Sequence, residues 1–424
     1  MSSRIVPTEV IVQAPPPEPP PRPRGTFSAL HHSAFRWYFS GQLVSLSGTW
    51  MQSVAQQIVV YNLTGSQLAL GLVACAQGLP ALILTPFAGV LVERLPRRRI
   101  LLGTQITLML LALSMALLMF AGTLQLWHII VLSLGIGVAN ALDAPARLSF
   151  LVEMVGHEDL PSSIVLNSIM FNTARIFGPA LGGVALATVG PEWCFLLNGL
   201  SFLAVIVSLA VMRLRPVKVA SRKGGMLQPL LDGLRFARRH EAIAPLLVLS
   251  ALASSFGLTF VVLIPPFADT VLRNTEIGTS ALLTAQGIGA LFASAFVAWA
   301  NRRGMRGRLL VTGAILGPVA VMLMAVTTTL PLAALLVGLA GFAFVCQFVL
   351  QNTLIQTIVP DEYRGRVLSL YTLSFFGLSP FGSLIIGTTA QAIGTVPAIL
   401  FFGCFSLCGA VLIVWRSPQL ARLP

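Results

Sequence analysis

The sequence predicts an all-α membrane protein, twelve transmembrane helices in two pseudo-symmetric six-helix bundles. Three observations predict it. Of 424 residues, 56% are hydrophobic and only 10% are charged, against about 25% charged in a soluble chain. The apolar residues come in unbroken stretches: Leu101–Ala121 runs 21 residues and Phe195–Met212 runs 18 without a charge, enough to cross a hydrocarbon layer of about 30 Å. The basic residues fall in alternate connections along the chain, as they do when a polypeptide crosses a bilayer repeatedly.

In lipid every backbone N–H and C=O must find its partner within the segment, so each apolar stretch is a helix. Hydropathy and punctuation place the spans near residues 37–62, 67–92, 98–120, 126–146, 162–188, 193–213, 243–268, 277–300, 307–328, 331–356, 366–392 and 396–416. Pro331 and Pro397 fall in expected first helical turns, where a missing N–H costs nothing. The organisation is then a tail over 1–32, a bundle over 33–213, a linker over 214–242, a second bundle over 243–416 and a tail over 417–424. The segment Met1–Gly25 is rich in proline and lacks the apolar core of a signal peptide. It cannot bury enough apolar surface to fold, so a disordered tail is expected.

All but two of the 27 Lys and Arg, Arg175 and Arg273, fall on one side of this topology. The positive-inside rule puts that side, with both termini, in the cytoplasm. The net charge of +13 is mostly this topology signal and implies no nucleic-acid partner. The two halves also repeat each other. Ala76-Gln77-Gly78 followed by Ala81-Leu82 recurs as Ala285-Gln286-Gly287 followed by Ala290-Leu291, and at the same offset Arg94, Arg97 and Arg99 fall on Arg303, Arg306 and Arg308. Leu166, Phe171, Gly178, Gly183 and Gly190 likewise fall on Leu370, Phe375, Gly382, Gly387 and Gly394. Repeated halves with a binding site between them are a transporter architecture.

Other classes find little support. There is no Ser-His-Asp or Cys-His arrangement and no phosphate-cradling glycine loop, so an enzyme is not expected. The cysteines Cys75, Cys194, Cys346, Cys404 and Cys408 lie in or at apolar runs without metal-ligand spacing, and the five histidines are scattered. No metal and no cofactor is expected. A transporter-like receptor or scaffold would call for a large extra domain, which the short loops do not provide.

Two segments carry the chain's strongest signature. The connection after span two reads Gly89-Val-Leu-Val-Glu93-Arg94-Leu-Pro-Arg97-Arg98-Arg99, and span five reads Ala174-Arg175-Ile-Phe-Gly178-Pro179-Ala-Leu-Gly182-Gly183. The first resembles the major facilitator signature of that loop, with Glu93 where Asp is usual and Pro96 where Gly is usual. The second resembles the antiporter motif of exporting major facilitator proteins, with Ala174 in place of a leading Gly. Span one with Gly48-Thr49-Trp50-Met51-Gln52, and Val359-Pro-Asp-Glu-Tyr-Arg364-Gly365-Arg366-Val367 before span eleven, resemble the drug and siderophore exporter branch that contains the enterobactin exporter and macrolide efflux proteins. The resemblance covers about residues 33–416. It implies export of a siderophore or amphipathic drug across the cytoplasmic membrane by alternating access, by a monomer exchanging substrate for protons. Uptake, or movement of a lipid, is the second transporter reading.

The resemblance also assigns roles. Gly89, Glu93, Arg94, Arg97, Arg98 and Arg147 would form the cytoplasmic gate, with Glu93 bonded to the start of span eleven or to Arg147; the arginines serve equally as topology anchors. Gly178, Pro179, Gly182 and Gly183 would form the antiporter motif or a generic small-residue packing face. Polar groups inside a span are costly and so are functional candidates. Span one carries Gln42, Ser45, Thr49, Gln52, Ser53 and Gln56 at spacings of three and four, hence on one helical face. In the major facilitator fold spans one, four, seven and ten line the cavity, which adds Ser133, Asn140, Ser254, Gln347 and Gln351. These residues either meet substrate or bond between helices. Arg175, near mid-bilayer, either binds an anionic group or organises the core. Asp143 is the candidate for proton coupling, with a gate or interface role as the alternative.

Overall fold

The computed structural model describes residues 25, 27–156, 158–212, 227–301 and 304–423. Most of the predicted tail, and the linker as far as residue 226, lie outside them. Six long helices make the first half: α1 (Ser33–Thr64), α2 (Gln67–Arg94), α3 (Arg97–Phe120), α4 (Leu126–Val155), α5 (Leu160–Thr188) and α6 (Pro191–Val211). A linker helix α7 (Leu227–Arg239) leads to the second half: α8 (Ile243–Leu252), α9 (Ile264–Thr270), α10 (Thr275–Asn301), α11 (Arg306–Ala325), α12 (Leu330–Ile358), α13 (Asp361–Thr372), α14 (Ser379–Ile393) and α15 (Thr395–Arg416).

Among the described residues eleven segments are long and apolar enough to cross a membrane, counting α8–α9 and α13–α14 as one each. The twelfth long helix, α1, has 32 residues but falls short of that apolarity. Its own glutamines and serines lower it, and fourteen of its residues, including Gln42, Gln52 and Gln56, are buried inside the protein. Each half packs chiefly on itself, α1 on α5 and α6, α2 on α4, α3 on α4 and α6, then α10 and α11 on α12 and α11 on α15.

The halves meet along two seams, α2 on α14 and α5 on α10. The repeat read from the sequence governs both. A Cβ at Gly183 of α5 would stand 2.7 Å from the Ser280 Cβ on α10, and one at Gly387 of α14 would stand 3.1 Å from the Gly71 Cα on α2. A Cβ at Gly78 would meet Pro380 at 2.6 Å, and one at Gly287 the Arg175 carbonyl oxygen at 2.7 Å. The same close backbone approach is thus made twice, by residues related through the two sequence offsets.

Two local expectations, the start of span eleven and the extent of the tail, are corrected, and the linker proves to hold a helix. Span eleven begins at Asp361, not near 366, because Asp361 and Glu362 suit a first turn, where the helix dipole favours acids. The linker is partly helical: α7 docks on α13 by stacking Phe236 on Tyr363 at 4.5 Å and by pairing Asp232 with Arg366 at 3.6 Å. The predicted tail is ordered over its last residues. Ser28–His31 forms a 3-10 turn, the Ala29 amide donates to Ser162 Oγ at 3.1 Å, and His32 Nε2 lies 2.8 Å from Asp159 Oδ2. At the other terminus Pro418–Arg422 forms a further turn, with Leu420 buried against Gly307 of α11.

Spans seven and eleven are not continuous α-helices. A π-helical segment Ala253–Gly257 and a 3-10 turn Thr259–Leu263 separate α8 from α9, and a π-helical segment Leu373–Gly377 separates α13 from α14. Pro265, Pro266 and Pro380 follow directly and lack the N–H that would continue the α-helical ladder. The two π segments touch, and Ser254 Oγ donates to the Phe375 carbonyl.

Candidate functional site

A cavity of about 320 Å³ lies between the halves, lined by Ser53, Gln56 and Gln57 of α1, Gln77 of α2, and Ser379 and Ser383 around the start of α14, with apolar residues such as Val73 and Val261. A smaller one of about 70 Å³ is lined by Trp50, Gln57, Arg175, Pro179, Leu283 and Gln286. Ser53, Gln57 and Val261 line both, so the two adjoin.

The end of the cavity away from the termini is closed by bonds between the halves. Tyr61 donates to Asp269 Oδ2 at 3.1 Å. Gln391 Oε1 of α14 accepts from Ser66 Oγ at 2.9 Å and from the Gln67 amide at 3.0 Å, and Gln67 Nε2 reaches Thr395 Oγ1 at 3.3 Å. Gln391 thereby satisfies amides at the start of α2 that a helix leaves without partners. Towards the termini the walls part. Among the described residues no extended packing joins α4 to α12 or α2 to α13. Thr49 and Asn140, on the same helix faces as Ser53 and Ser133 but nearer the termini, are exposed.

The polar face of α1 divides. Gln56 lines the cavity and donates to Ser133 Oγ at 2.9 Å. Gln52, expected in the cavity, instead turns into the first half, where its Oε1 accepts from Asn198 Nδ2 of α6 at 2.6 Å. Gln42 and Ser45 are buried, and Thr49 bonds back to the Ser45 carbonyl at 2.9 Å. Gln52 stands at one edge of that face and meets α6, while Ser53 at the other edge lines the cavities. In the second half Gln347 and Gln351 are buried, each amide donating at 3.4 Å to the carbonyls of Leu249 and Leu246 of α8. Ser254 is spent on the Phe375 carbonyl. These three bond between helices and line neither cavity.

The span-five motif packs on α1 and reaches the smaller cavity and the α5–α10 seam. A Cβ on Gly178 would meet the Ser47 carbonyl oxygen at 2.8 Å and one on Gly182 the Met51 carbonyl oxygen at 3.4 Å, while Gly183 faces Ser280 across the seam. Pro179 lines the smaller cavity beside Arg175, whose guanidinium stands 5.7 Å from the Trp50 ring centroid. Arg175 and Asp143 are not brought together.

Asp143 is buried between α3 and α4. Its Oδ1 accepts from Thr104 Oγ1 and Gln105 Nε2, each at 2.9 Å, and its Oδ2 pairs with Arg147 at 3.7 Å. It lines neither cavity. Arg147 therefore has an acid of its own helix as partner. Gly89, Glu93 and Arg94 belong to α2, and the structure does not describe the side chains of Glu93 and Arg94 or the surroundings of Gly89. Arg97 bonds to Glu153 at 2.9 Å and to the Ser149 carbonyl, and Arg98 to the carbonyls of Leu209 and Ala210 at 2.7 Å. All these partners belong to the first half.

Gln57, Gln77, Gln286, Ser379 and Ser383 line the cavities and were not singled out as site residues. The signal for two of them was present: Gln77 and Gln286 are the central residues of the repeated Ala-Gln-Gly, in helices not counted as cavity helices.

Among the described residues, eleven membrane-spanning segments and the long α1, two seams between the halves and a cavity between them with polar groups from both define a polytopic carrier of the major facilitator class. The chain belongs to the transmembrane secretion effector family of that class, whose family model matches residues 24–422. It is 27% identical to the multidrug efflux pump Tap of Mycolicibacterium fortuitum, over 90% of this chain and 95% of that one. It is 25% identical to the enterobactin exporter EntS of Shigella boydii serotype 18, over 92% of this chain and 93% of that one. Among solved structures, its fold matches a bacterial homolog of the human lysosomal transporter Spinster, solved in an inward-facing and unoccupied conformation, with a TM-score of 0.68, 13% identity, and coverage of 92% of this chain and 96% of that one.

Proposed function

We propose that this chain exports small organic molecules, siderophores or amphipathic drugs, across the cytoplasmic membrane in exchange for protons. The observation that carries the reading is the cavity itself: polar on both sides, drawn from both halves, closed at one end by breakable bonds and open towards the other. Alternating access needs a site of that kind. The names of the relatives Tap and EntS support efflux as the direction and these compounds as the substrate class. The basic residues on the terminus-bearing side support a cytoplasmic location for both termini, which makes the open end cytoplasmic. The arginines after α2 and the Gly89–Glu93 segment then serve a gate that closes only in the opposite state. That is in keeping with the partners of Arg97, Arg98 and Arg147 in their own half.

For the proton two acids compete. Asp143 is buried and paired with Arg147. Asp269 takes its hydrogen bond from Tyr61 of the other half, so its surroundings change whenever that end opens. The test uses inside-out vesicles with an acid interior and a pH-sensitive dye. Siderophores and cationic or neutral drugs are added in turn. Export predicts a compound-dependent collapse of the gradient. Loss of the collapse in Asp143→Asn with Asp269→Asn unaffected assigns coupling to Asp143, and the reverse assigns it to Asp269. No collapse with any compound, from folded protein, refutes proton-coupled export.

A further inference from the structure

Arg175 is the one basic residue that the sequence places at mid-bilayer depth, and its surroundings do not neutralise it. Among the described residues no carboxylate forms an ion pair with it. The guanidinium has the Trp50 ring beside it at 5.7 Å and opens on the smaller cavity, whose other polar lining is Ser53 and the amides of Gln57 and Gln286. Among the described residues no acid lines either cavity. A guanidinium stays charged at any physiological pH, and a charge away from bulk water is costly unless an opposite charge meets it. The ring face offers a cation partial compensation. An anion completes it, because the planar fork of N–H donors fits a carboxylate with two parallel hydrogen bonds.

The dimensions suit a molecule with two parts. About 70 Å³ beside Arg175 has room for a few water-sized groups, and therefore for a carboxylate. The adjoining space of about 320 Å³ has a wall of Val60, Leu70, Val73 and Ala74 for an apolar body. The smaller cavity is also built by both halves, α1 and α5 on one side, Val261, Leu283 and Gln286 on the other. A charge held there touches the α5–α10 seam, where Gly287 faces the Arg175 carbonyl.

We propose that the Arg175–Trp50 pocket is an anion subsite of the transport cavity, and that this carrier selects amphipathic anions, compounds with a carboxylate-type charge on an apolar body. The inference rests on the cavity being a transport site. The charge series 1-naphthoate, 1-naphthamide and 1-naphthylmethylammonium shares one apolar body and tests it. Binding is measured by thermal shift and calorimetry on the purified chain in a neutral detergent. Naphthoate should bind at least about tenfold more tightly than the other two, the usual worth of a charge-assisted hydrogen bond. Arg175→Gln should bring naphthoate down to the level of the amide, and Arg175→Lys should keep part of the preference, since it holds the charge but not the fork. The charge series on the unaltered chain needs no variant to fold. The proposal is overturned if naphthoate does not bind, if the amide or the ammonium binds as tightly, or if folded Arg175→Gln retains the preference. A separate assay follows ethidium and naphthoate uptake into the inside-out vesicles, the direction in which export runs there. Uptake of ethidium without naphthoate binding sinks the subsite and leaves export standing. Naphthoate binding that depends on Arg175, with no compound moved, sinks export and leaves the subsite.

Discussion

Replacing Gln391 by alanine should loosen the closed end of the carrier without unfolding it. Gln391 Oε1 is the acceptor for Ser66 Oγ, the Gln67 amide and, at 3.5 Å, the Leu68 amide. It therefore acts as an N-terminal cap supplied to α2 by the other half. Loss of a cap costs about 1 kcal/mol, and the exposed position of Gln391 argues for no more. The cost falls only on the state in which this end is closed, because α2 keeps its own cap, Ser66 Oγ accepting from the Ala69 amide at 3.2 Å. About 1 kcal/mol is roughly a fivefold shift in the open-to-closed ratio. The assay uses a single cysteine at Leu70, 3% exposed on the cavity wall, in a chain whose native cysteines are replaced. A membrane-impermeant maleimide is added from outside the cell. Gln391→Ala should raise the alkylation rate about fivefold with little change in unfolding temperature. Ser66→Ala should lower the unfolding temperature as well. An unchanged rate in folded Gln391→Ala would refute the assignment of this bond to the closing of that end.

Three further outcomes are expected. Gly183→Val and Gly387→Val overfill the two seams, at about 1–3 kcal/mol each; both should cut transport and speed alkylation of the same cysteine, whereas Gly103→Val, with nothing within 4 Å, should do neither. A double-mutant cycle with Gln52→Leu and Asn198→Leu should give a coupling of about 0.6 and at most about 1.7 kcal/mol in unfolding experiments. Zero coupling would return Gln52 to the cavity. Asp143→Asn removes the charge that faces Arg147 and accepts from Thr104 and Gln105, so it should destabilise the chain by about 1–3 kcal/mol. A lower unfolding temperature with unaltered proton-driven transport would make Asp143 a structural residue.

The helices, and the pairing of the halves, were legible because lipid leaves the backbone one solution and because repeated glycines mark where that backbone must come close. The breaks in spans seven and eleven were not, since hydropathy is blind to whether a ladder runs α or π; Pro265 and Pro380 carried the hint. The site was half legible. Polar residues inside a span announce that they need partners, but not which: Gln56 and Gln52 are four residues apart, and one lines the cavity while the other bonds to α6. Gln347 and Gln351 were assigned to the cavity by the position of their span, yet α8 supplies carbonyls within reach. Asp143 could be placed by depth along α4, but not by direction, and its direction is towards α3.

The two seams also bear on how fast the halves can change places. Interlocked side chains must unpack before two surfaces move, and each withdrawal adds to the barrier. At Gly71 and Gly387, and at Gly183 and Gly287, backbone or a small residue meets backbone, with no knob to lift out of a hole. Such a surface would act as a bearing, on which the helices can roll and tilt while staying in contact. On that reading the hydrogen bonds around Tyr61 and Gln391 at the closed end, and not friction along the seams, should limit turnover.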